Sequence, residues 1–172
     1  MTGLLRIKNR LIAKAATAFP GIGRMLNAMY RPAEQQGVPW TPVIKRLGKS
    51  IVAVVTTAGV HRKDQQPFDM NDPDGDPSAR PIERSVSTGD LMITHDYYDH
   101  KDADRDINIV FPLDRLRELE QEGIIKALSP VHFGLMGHVI GRHIGTLIKE
   151  TAPEIVKRLR AAGADIVLLT PA

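Results

Sequence analysis

Three apolar segments of the chain each end in polar side chains that can take part in acid–base or hydrogen-bonding chemistry. The first ends in a short run of small and polar residues between Thr56 and His61, the second in Thr94-His95 and the third in Thr170-Pro171. If the segments are parallel strands, their carboxyl ends meet at one edge of a sheet. We therefore predict that one substrate or partner pocket is lined by Thr56, Thr57, Gly59, His61, His95 and Thr170.

His95 begins the densest group of titratable side chains in the sequence, since Asp96, Tyr97, Tyr98, Asp99 and His100 follow it directly. An imidazole titrates near neutral pH, so His95 is a candidate general acid or base. A loop histidine that only bonds a neighbouring carboxylate fits the same pattern. The sequence leaves both interpretations open.

An acidic segment, Asp72-Pro73-Asp74-Gly75-Asp76, resembles the start of a calcium-binding loop, and Glu83 falls at the closing position. However, Pro77 stands where such a loop requires a glycine for its sharp turn. Asp-Pro and Asp-Gly pairs are common in turns. We therefore predict a turn here, and no metal site in the chain.

Strands and helices alternate in the way expected of an α/β protein. Residues 51–55 are mostly β-branched and predict a strand buried on both faces, with further strands at 91–95 and 165–170. Helical periodicity covers 113–122 and 137–149, where it places His143 on the apolar face. A capping box at Thr151–Glu154 predicts the start of another helix. The order predicts a mostly parallel sheet flanked by helices, such as a Rossmann-like or flavodoxin-like half.

The first 37 residues predict a basic amphipathic helical extension and linker. No acid precedes Glu34, and one helical face carries Leu4, Leu5, Leu11, Ile12 and Ala15. Two interpretations remain open: a helix that docks on a partner or an anionic surface, and a helix packed on the domain with a solvated basic rim. Trp40 is predicted to anchor the lead-in to the first strand.

Composition excludes several classes of protein. The 172 residues contain no cysteine, which excludes disulfides, thiolate metal sites and a thiol nucleophile within them. No apolar run reaches the roughly 20 residues of a membrane span, and early charges interrupt any secretory signal, so we predict a cytoplasmic location. The net charge of +3 is slight, and no nucleic-acid partner is predicted. A dinucleotide-binding glycine pattern is absent.

Four ordered segments resemble the selenoprotein B subunits of the glycine, sarcosine, betaine and D-proline reductases, most strongly the D-proline branch. The likeness covers roughly residues 38–172, and its segments are 54–61 (VVTTAGVH), 75–80 (GDPSAR), 106–116 (DINIVFPLDRL) and 164–171 (ADIVLLTP). The resemblance implies an α/β reductase-subunit domain over 38–172 that is incomplete at its C-terminus.

The resemblance also implies an activity and its partners. Enzymes of this family cleave a carbon–nitrogen bond reductively, with electrons from a dithiol or a thioredoxin-like reductant. A pyruvoyl group on a partner subunit holds the substrate amine. The nucleophile is a selenocysteine or cysteine directly after the strand that ends in Leu-Thr-Pro.

The sequence departs from the family pattern at this position, because it ends at Thr170-Pro171-Ala172. We therefore expect no catalytic residue and no cofactor within the chain, and we expect the selenocysteine or cysteine beyond Ala172. We hypothesise that the reading frame was cut at a UGA codon that should encode selenocysteine. Reading the genomic DNA after the codon of Ala172 tests this hypothesis. Two alternatives are a non-catalytic short paralogue that binds a partner, and a metal-dependent hydrolase that uses His95, Asp99 and His100.

Overall fold

The computed structural model describes residues 2–29 and 41–171. The boundary predicted near residue 37 and the predicted anchor Trp40 lie outside these residues. Along the chain the elements are α1 (Thr2–Ala18), α2 (Pro20–Met29), β1 (Ile51–Thr56), β2 (Val60–Arg62), β3 (Arg80–Glu83), β4 (Leu91–Ile93), α3 (Lys101–Arg105), α4 (Leu113–Gln121), β5 (Ala127–Leu128), β6 (Val131–Gly134), α5 (His143–Thr146), a π-helical segment (Leu147–Thr151), α6 (Ala152–Ala161) and β7 (Ile166–Thr170).

Strand β1 lies at the centre of a sheet that has five strands within the described residues. On one side β7 pairs with it in parallel along Val52–Thr56. On the other side β5 pairs in parallel with its start and β6 with its end. Strand β3 pairs antiparallel with β6 at the edge. The prediction of a mostly parallel α/β sheet is therefore confirmed.

The side chains of β1 alternate between two apolar layers, as the period of a strand requires. Val52 and Val54 belong to a cluster with Phe111 on one face of the sheet. Ala53 and Val55 belong to a second cluster with residues of β6 and α6 on the other face. Burial on both faces explains why this strand reads as a continuous β-branched run, and the prediction for 51–55 is confirmed.

A histidine side chain fills a gap in the hydrogen bonding of β1. The pairing with β5 ends at Val52 and the pairing with β6 begins at Val55. Between them, the backbone N–H of Val54 donates to Nδ1 of the fully buried His132, at 3.0 Å. The proton of this imidazole therefore lies on Nε2, and burial lowers its pKa to about 4. His132 thus replaces a backbone acceptor and stays neutral.

The strand predicted at 91–95 is present as β4, but its assumed direction was wrong. It pairs antiparallel with β2 in a separate two-stranded ribbon, with Val60 opposite Ile93 and Arg62 opposite Leu91. The chain between β2 and β4 passes through β3 in the main sheet before it returns, and β4 then runs antiparallel along β2 instead of joining the sheet as a parallel strand. Thr94 and His95 therefore follow a strand of the antiparallel β2–β4 ribbon and not a parallel strand of the main sheet.

The helix predicted over 137–149 begins only at His143, and the predicted capping box does not form. Residues 137–142 are irregular, with Gly141 at φ +53°, because the backbone N–H of Ile140 bonds Asp74 O at 2.9 Å. Thr151 has helical dihedral angles and makes no capping bond. A π-helical segment instead joins α5 to α6. At residues 137–142 the tertiary hydrogen bond to Asp74 O overrides the helical propensity of the segment.

Helices α1 and α2 confirm the predicted N-terminal helical extension, and α1 contacts the domain through part of its basic face. Arg6 and Arg10 point toward the domain and bond Asp96. Leu4 and Leu11 are exposed to solvent. The buried carboxylate attracts these two arginines, although their side chains remain 39% and 57% exposed. Lys8 and Lys14 are exposed, as predicted for a solvated basic rim.

Replacing His132 by alanine tests its structural role. We expect His132→Ala to lower the free energy of unfolding by about 2–4 kcal/mol, because it leaves both a cavity and an unpaired Val54 N–H. Urea denaturation followed by circular dichroism measures this difference. The control His100→Ala removes an imidazole bonded to the exposed Asp104 and is expected to cost less than about 1 kcal/mol. Equal losses in the two variants would contradict the assignment.

Candidate functional site

The carboxyl ends of β1 and β7 meet, as the sequence predicted. The backbone N–H of Thr57 and the hydroxyl of Thr56 both donate to Thr170 O, at 3.1 and 3.2 Å. The Thr170 hydroxyl donates to Val110 O at 2.7 Å. Thr56 is buried, whereas Thr57 and Thr170 are half-buried. These bonds fix the point at which β7 ends and leave two threonines within reach of a ligand.

Gly59 places the loop after β1 directly against the segment after β4. Its φ is +75°, and a Cβ atom there would lie 2.5 Å from Thr94 O and 3.0 Å from the Cβ of His95. The backbone N–H of Thr94 donates to Gly59 O at 2.9 Å. Only glycine fits this position, because it lacks a side chain and adopts positive φ readily.

His61 is bonded at both ring nitrogens. Nδ1–H donates to Arg62 O at 2.7 Å, and Nε2 accepts from the Thr94 hydroxyl at 2.8 Å. Burial lowers the pKa of His61, although the bond to the Arg62 carbonyl opposes this effect. The arrangement ties β2 to Thr94, next to Gly59. With both ring nitrogens bonded, His61 holds β2 and Thr94 together. That His61 lines a substrate pocket stays a prediction.

His95 is the member of the predicted set that has an unused donor. It is 3% exposed, and its Nδ1 accepts from the backbone N–H of Tyr97 at 3.1 Å. Its proton therefore lies on Nε2, which is buried without a hydrogen-bond partner in the described part of the chain. Burial lowers its pKa to about 4. At neutral pH His95 is thus a neutral donor, which argues against a charged acid but leaves it able to bind an oxygen.

Two tyrosines surround His95. The ring of Tyr98 lies 4.8 Å from that of His95, and its hydroxyl donates to Ala58 O at 3.0 Å. Burial raises the pKa of Tyr98, so it stays protonated. The ring of Tyr97 lies 5.9 Å from that of His95, edge to face, and stacks on His138 at 3.7 Å. The loop after β4 is thereby fixed to the loop after β1.

Asp96, directly after His95, forms ion pairs that the sequence did not predict. Its side chain is 1% exposed, and it accepts from Arg6 Nε at 2.6 Å and from Arg10 Nε at 2.7 Å. Burial alone would raise its pKa, but the bonds from both arginines outweigh that effect, so the pKa lies below its ordinary value. The partners are about 90 residues away in sequence, so no local pattern reveals the pair.

The acidic segment 72–76 forms a turn, as predicted. The backbone N–H of Gly75 donates to Asp72 O at 3.1 Å, and Gly75 has a φ of +86°. Asp72 accepts from His143 Nε2 at 3.0 Å and from Arg142, and these bonds lower its pKa to about 2. His143 therefore pairs with a carboxylate, and the prediction that it lies on an apolar helical face was wrong because its helix begins later than predicted.

The structure does not support the metal-dependent hydrolase alternative. His100 Nδ1 bonds Asp104 at 2.8 Å, while His95 is enclosed by the tyrosines. Across residues 2–29 and 41–171, no three histidine, cysteine, aspartate or glutamate side chains are grouped to hold a metal ion. The site is instead two adjoining parts: Thr56, Thr57 and Thr170 at the sheet edge, and His61, Thr94 and His95 against Gly59.

The sequence pattern of the glycine/sarcosine/betaine reductase selenoprotein B family matches residues 23–172. The chain belongs to this family. The match includes every strand of the sheet and both parts of the candidate site. The resemblance predicted from four short segments is therefore confirmed.

Three relatives show which branch of the family is most similar in sequence. The γ subunit of D-proline reductase from Acetoanaerobium sticklandii is 45% identical over 76% of this chain. Component B γ of glycine reductase from Carboxydothermus hydrogenoformans is 31% identical over 77%, and component B β of betaine reductase from Peptoclostridium acidaminophilum is 32% identical over 74%. The higher identity to the D-proline reductase subunit supports the predicted branch.

The chain is shorter than these relatives. The matched part is 52% of the D-proline reductase subunit and 30% and 29% of the glycine and betaine reductase subunits. No solved structure matches the chain.

Gly59 offers a direct test of the site geometry. We expect Gly59→Ala to lower the free energy of unfolding by more than about 2 kcal/mol, because the new Cβ meets Thr94 O and positive φ strains alanine. The control Gly145→Ala adds a Cβ with nothing within 4 Å in a helix and should raise stability by up to about 1 kcal/mol. Urea unfolding of both variants measures the contrast. Equal effects would show that Gly59 does not approach Thr94.

The buried neutral histidines predict a loss of stability in mild acid. In the unfolded chain His95 and His132 take up protons near pH 6.5, whereas in the fold they do so near pH 4. The unfolded state therefore binds more protons between these values, and stability falls as the pH drops through this window, by up to roughly 3 kcal/mol per histidine. Urea midpoints between pH 7.5 and 4 measure this. A constant midpoint down to pH 4.5 would contradict it.

Proposed function

We propose that the chain is the scaffold of a component B-type reductase subunit that cleaves the carbon–nitrogen bond of an amino acid. The family match over residues 23–172, which contains the whole sheet, carries this proposal. D-proline is the favoured substrate, because identity to the D-proline reductase γ subunit is 45% against 31–32% for the glycine and betaine reductase subunits. Glycine, sarcosine and betaine are the other candidates.

The proposed reaction balances with a dithiol as the electron donor. Oxidation of two thiols to a disulfide releases two electrons and two protons. Cleavage of the carbon–nitrogen bond consumes both: the carbon gains hydrogen and the nitrogen leaves as an amine. For cyclic D-proline the product is an open-chain amino acid. A selenolate or thiolate is the nucleophile that connects the two half-reactions.

The redox atom is proposed to come from outside the given sequence, which contains no cysteine. The end of β7 is the position that supports this idea, since the family's nucleophile follows the Leu-Thr-Pro segment. Thr170 is held there through its carbonyl by Thr57 N–H and through its hydroxyl by Val110 O. These bonds would set the direction in which a following residue leaves the sheet.

Other groups of the site have proposed roles that follow from their exposure. Thr57 and Thr170 are half-buried and can contact a substrate. Gly59 and His61 are buried and position the loop after β1. His95 is 3% exposed, so a substrate oxygen such as a carboxylate would reach its Nε2–H only if the loop after β4 moves. The substrate amine is proposed to be held by the pyruvoyl group of a partner subunit, and a thioredoxin-like protein or small dithiol to supply electrons.

A non-catalytic partner-binding module is the second candidate, and β7 is the observation that favours it. Val167, Leu168 and Leu169 are 40%, 38% and 69% exposed. Strands of parallel sheets are usually covered on both faces, and apolar surface of this kind commonly marks an interaction site. The same surface would serve a subunit of a larger reductase, so activity decides between the two candidates.

An assay on the protein purified with its natural partners tests the proposal. We expect the tagged chain, expressed and purified from its source cells, to bring with it a dithiol-dependent reductase. D-proline, glycine, sarcosine and betaine are each incubated with dithiothreitol, and the amine or ring-opened product is measured by mass spectrometry. Product from one substrate above a tag-only control supports the proposal. Absence of product from all four contradicts it and favours the partner-binding module.

A matched pair of variants connects that activity to the end of β7. Thr170→Val removes the hydroxyl that bonds Val110 O and should lower the rate at least about tenfold, because small displacements of a reacting group are costly. Thr41→Val makes the same change at an exposed position and should leave the rate unchanged. Equal rates for the two variants would show that Thr170 does not position the reaction.

A further inference from the structure

Helix α1 exposes a stripe of apolar side chains on the face that points away from the domain. Leu4, Ile7 and Leu11 are 79%, 58% and 62% exposed. At 100° per residue these three positions fall on one stripe of the helix. The opposite face contains Arg6 and the buried Ala13. This is the reverse of the usual arrangement, in which a surface helix buries its apolar stripe.

The buried carboxylate of Asp96 holds the helix in this orientation. Arg6 and Arg10 both bond Asp96, whose side chain is 1% exposed. Rotating α1 to bury Leu4 and Leu11 would withdraw both arginines and leave a buried charge unpaired, which is strongly destabilising. The outward direction of the apolar stripe is therefore imposed by the domain itself.

Helix α2 extends the apolar surface of this N-terminal hairpin. It packs closely on α1, since a Cβ on Gly23 would lie 3.3 Å from Ala16 O. Phe19, between the helices, and Met25 are each 63% exposed. Exposed apolar surface on this scale is a feature of binding sites on other molecules.

The charges on the hairpin indicate the chemistry of its partner. Lys8, Lys14 and Arg24 are exposed, and the sequence has no acid before Glu34. An apolar stripe bordered only by cations suits the interface of an anionic lipid bilayer, where side chains enter the acyl boundary and cations meet the headgroups. No helix in the described parts of the chain has the length and hydropathy to span a membrane.

We propose that the outward face of α1 and α2 binds an anionic lipid surface and places the α/β domain beside the membrane. Residues 2–22, which include all of α1, precede the part of the chain that the family pattern matches. Leu4, Ile7 and Leu11 therefore lie outside the part of the chain on which the proposed reductase function rests, whereas Arg24 and Met25 of α2 lie inside it. A groove on another protein is the competing partner. Such a groove would need acidic side chains opposite the cations of α1 and α2, which contain no acid themselves.

Vesicle sedimentation tests the proposal with the full chain. Large unilamellar vesicles of phosphatidylcholine alone are compared with vesicles containing about 30% phosphatidylglycerol, at low and high salt. We expect the partition coefficient to be at least about tenfold higher with phosphatidylglycerol, and to fall toward the phosphatidylcholine value at high salt. The same value for both vesicle types, or no binding to either, overturns the proposal.

Variants distinguish binding through the proposed face from nonspecific adsorption by any exposed apolar side chain. The triple variant Leu4→Ser, Ile7→Ser, Leu11→Ser should reduce binding at least about tenfold. The control triple Ile44→Ser, Ile109→Ser, Ile148→Ser changes residues of similar exposure elsewhere and should bind like the original chain. Circular dichroism verifies that both variants fold. Equal loss in both variants contradicts the proposal.

Sedimentation velocity without vesicles identifies the competing explanation. We expect the chain and the α1 triple variant to have the same mass in solution. A dimer of the original chain that becomes a monomer in the α1 variant would overturn the lipid assignment and show that the face joins two copies.

Discussion

The hydrogen bonding of one buried strand, β1, is the constraint on which the rest of the structure depends. Both faces of β1 are covered by apolar clusters, so its backbone groups have no access to water. Each must therefore find a partner within the protein. Strand β7 supplies partners on one side, and β5, β6 and the imidazole of His132 divide the other side among them. A charged His132 could not accept the Val54 N–H, which is why its neutrality matters.

This central strand determines what the candidate site can do. Thr56 is the last residue of β1 and Thr57 follows it. Their bonds to Thr170 O join the carboxyl ends of β1 and β7. Gly59 then lets the chain pass against Thr94 and His95. Among the buried residues of the site, His95 is neutral and His61 is bonded at both ring nitrogens. Thr57 and Thr170 are half-buried. The geometry thus fits a rigid support for a reacting group, with few groups of its own that change charge near neutral pH.

The sequence predicted those parts of the fold that follow from local pattern. The β-branched run at 51–55, the turn at 72–76 and the helix after Pro112 are all present. Strands β2, β3, β5 and β6 were not predicted, because segments of two to four residues carry no periodicity and acquire their conformation from neighbouring strands. The Asp96 pair and the His132 bond also join residues far apart in the chain.

Two outcomes that local pattern did not determine have a common cause. Regular spacing of apolar residues over 137–149 predicted a helix that begins only at His143, and the apolar stripe on α1 left its direction open. In both cases a carboxylate or carbonyl from a distant segment decided the outcome, Asp74 O in the first and the Asp96 side chain in the second. Periodicity describes what a segment prefers alone, while buried polar groups impose their own demands.

Native-state hydrogen exchange measured by NMR tests most directly whether β1 is the central constraint. The account predicts that the amide of Val54, whose acceptor is the His132 imidazole, exchanges only through global unfolding, at the same free energy as the amides of Val52 and Val55. Thr57, bonded to Thr170 O, should show protection well above that of the exposed residues 41–46. Rapid local exchange at Val54, or a Thr57 amide as unprotected as those residues, would contradict the account.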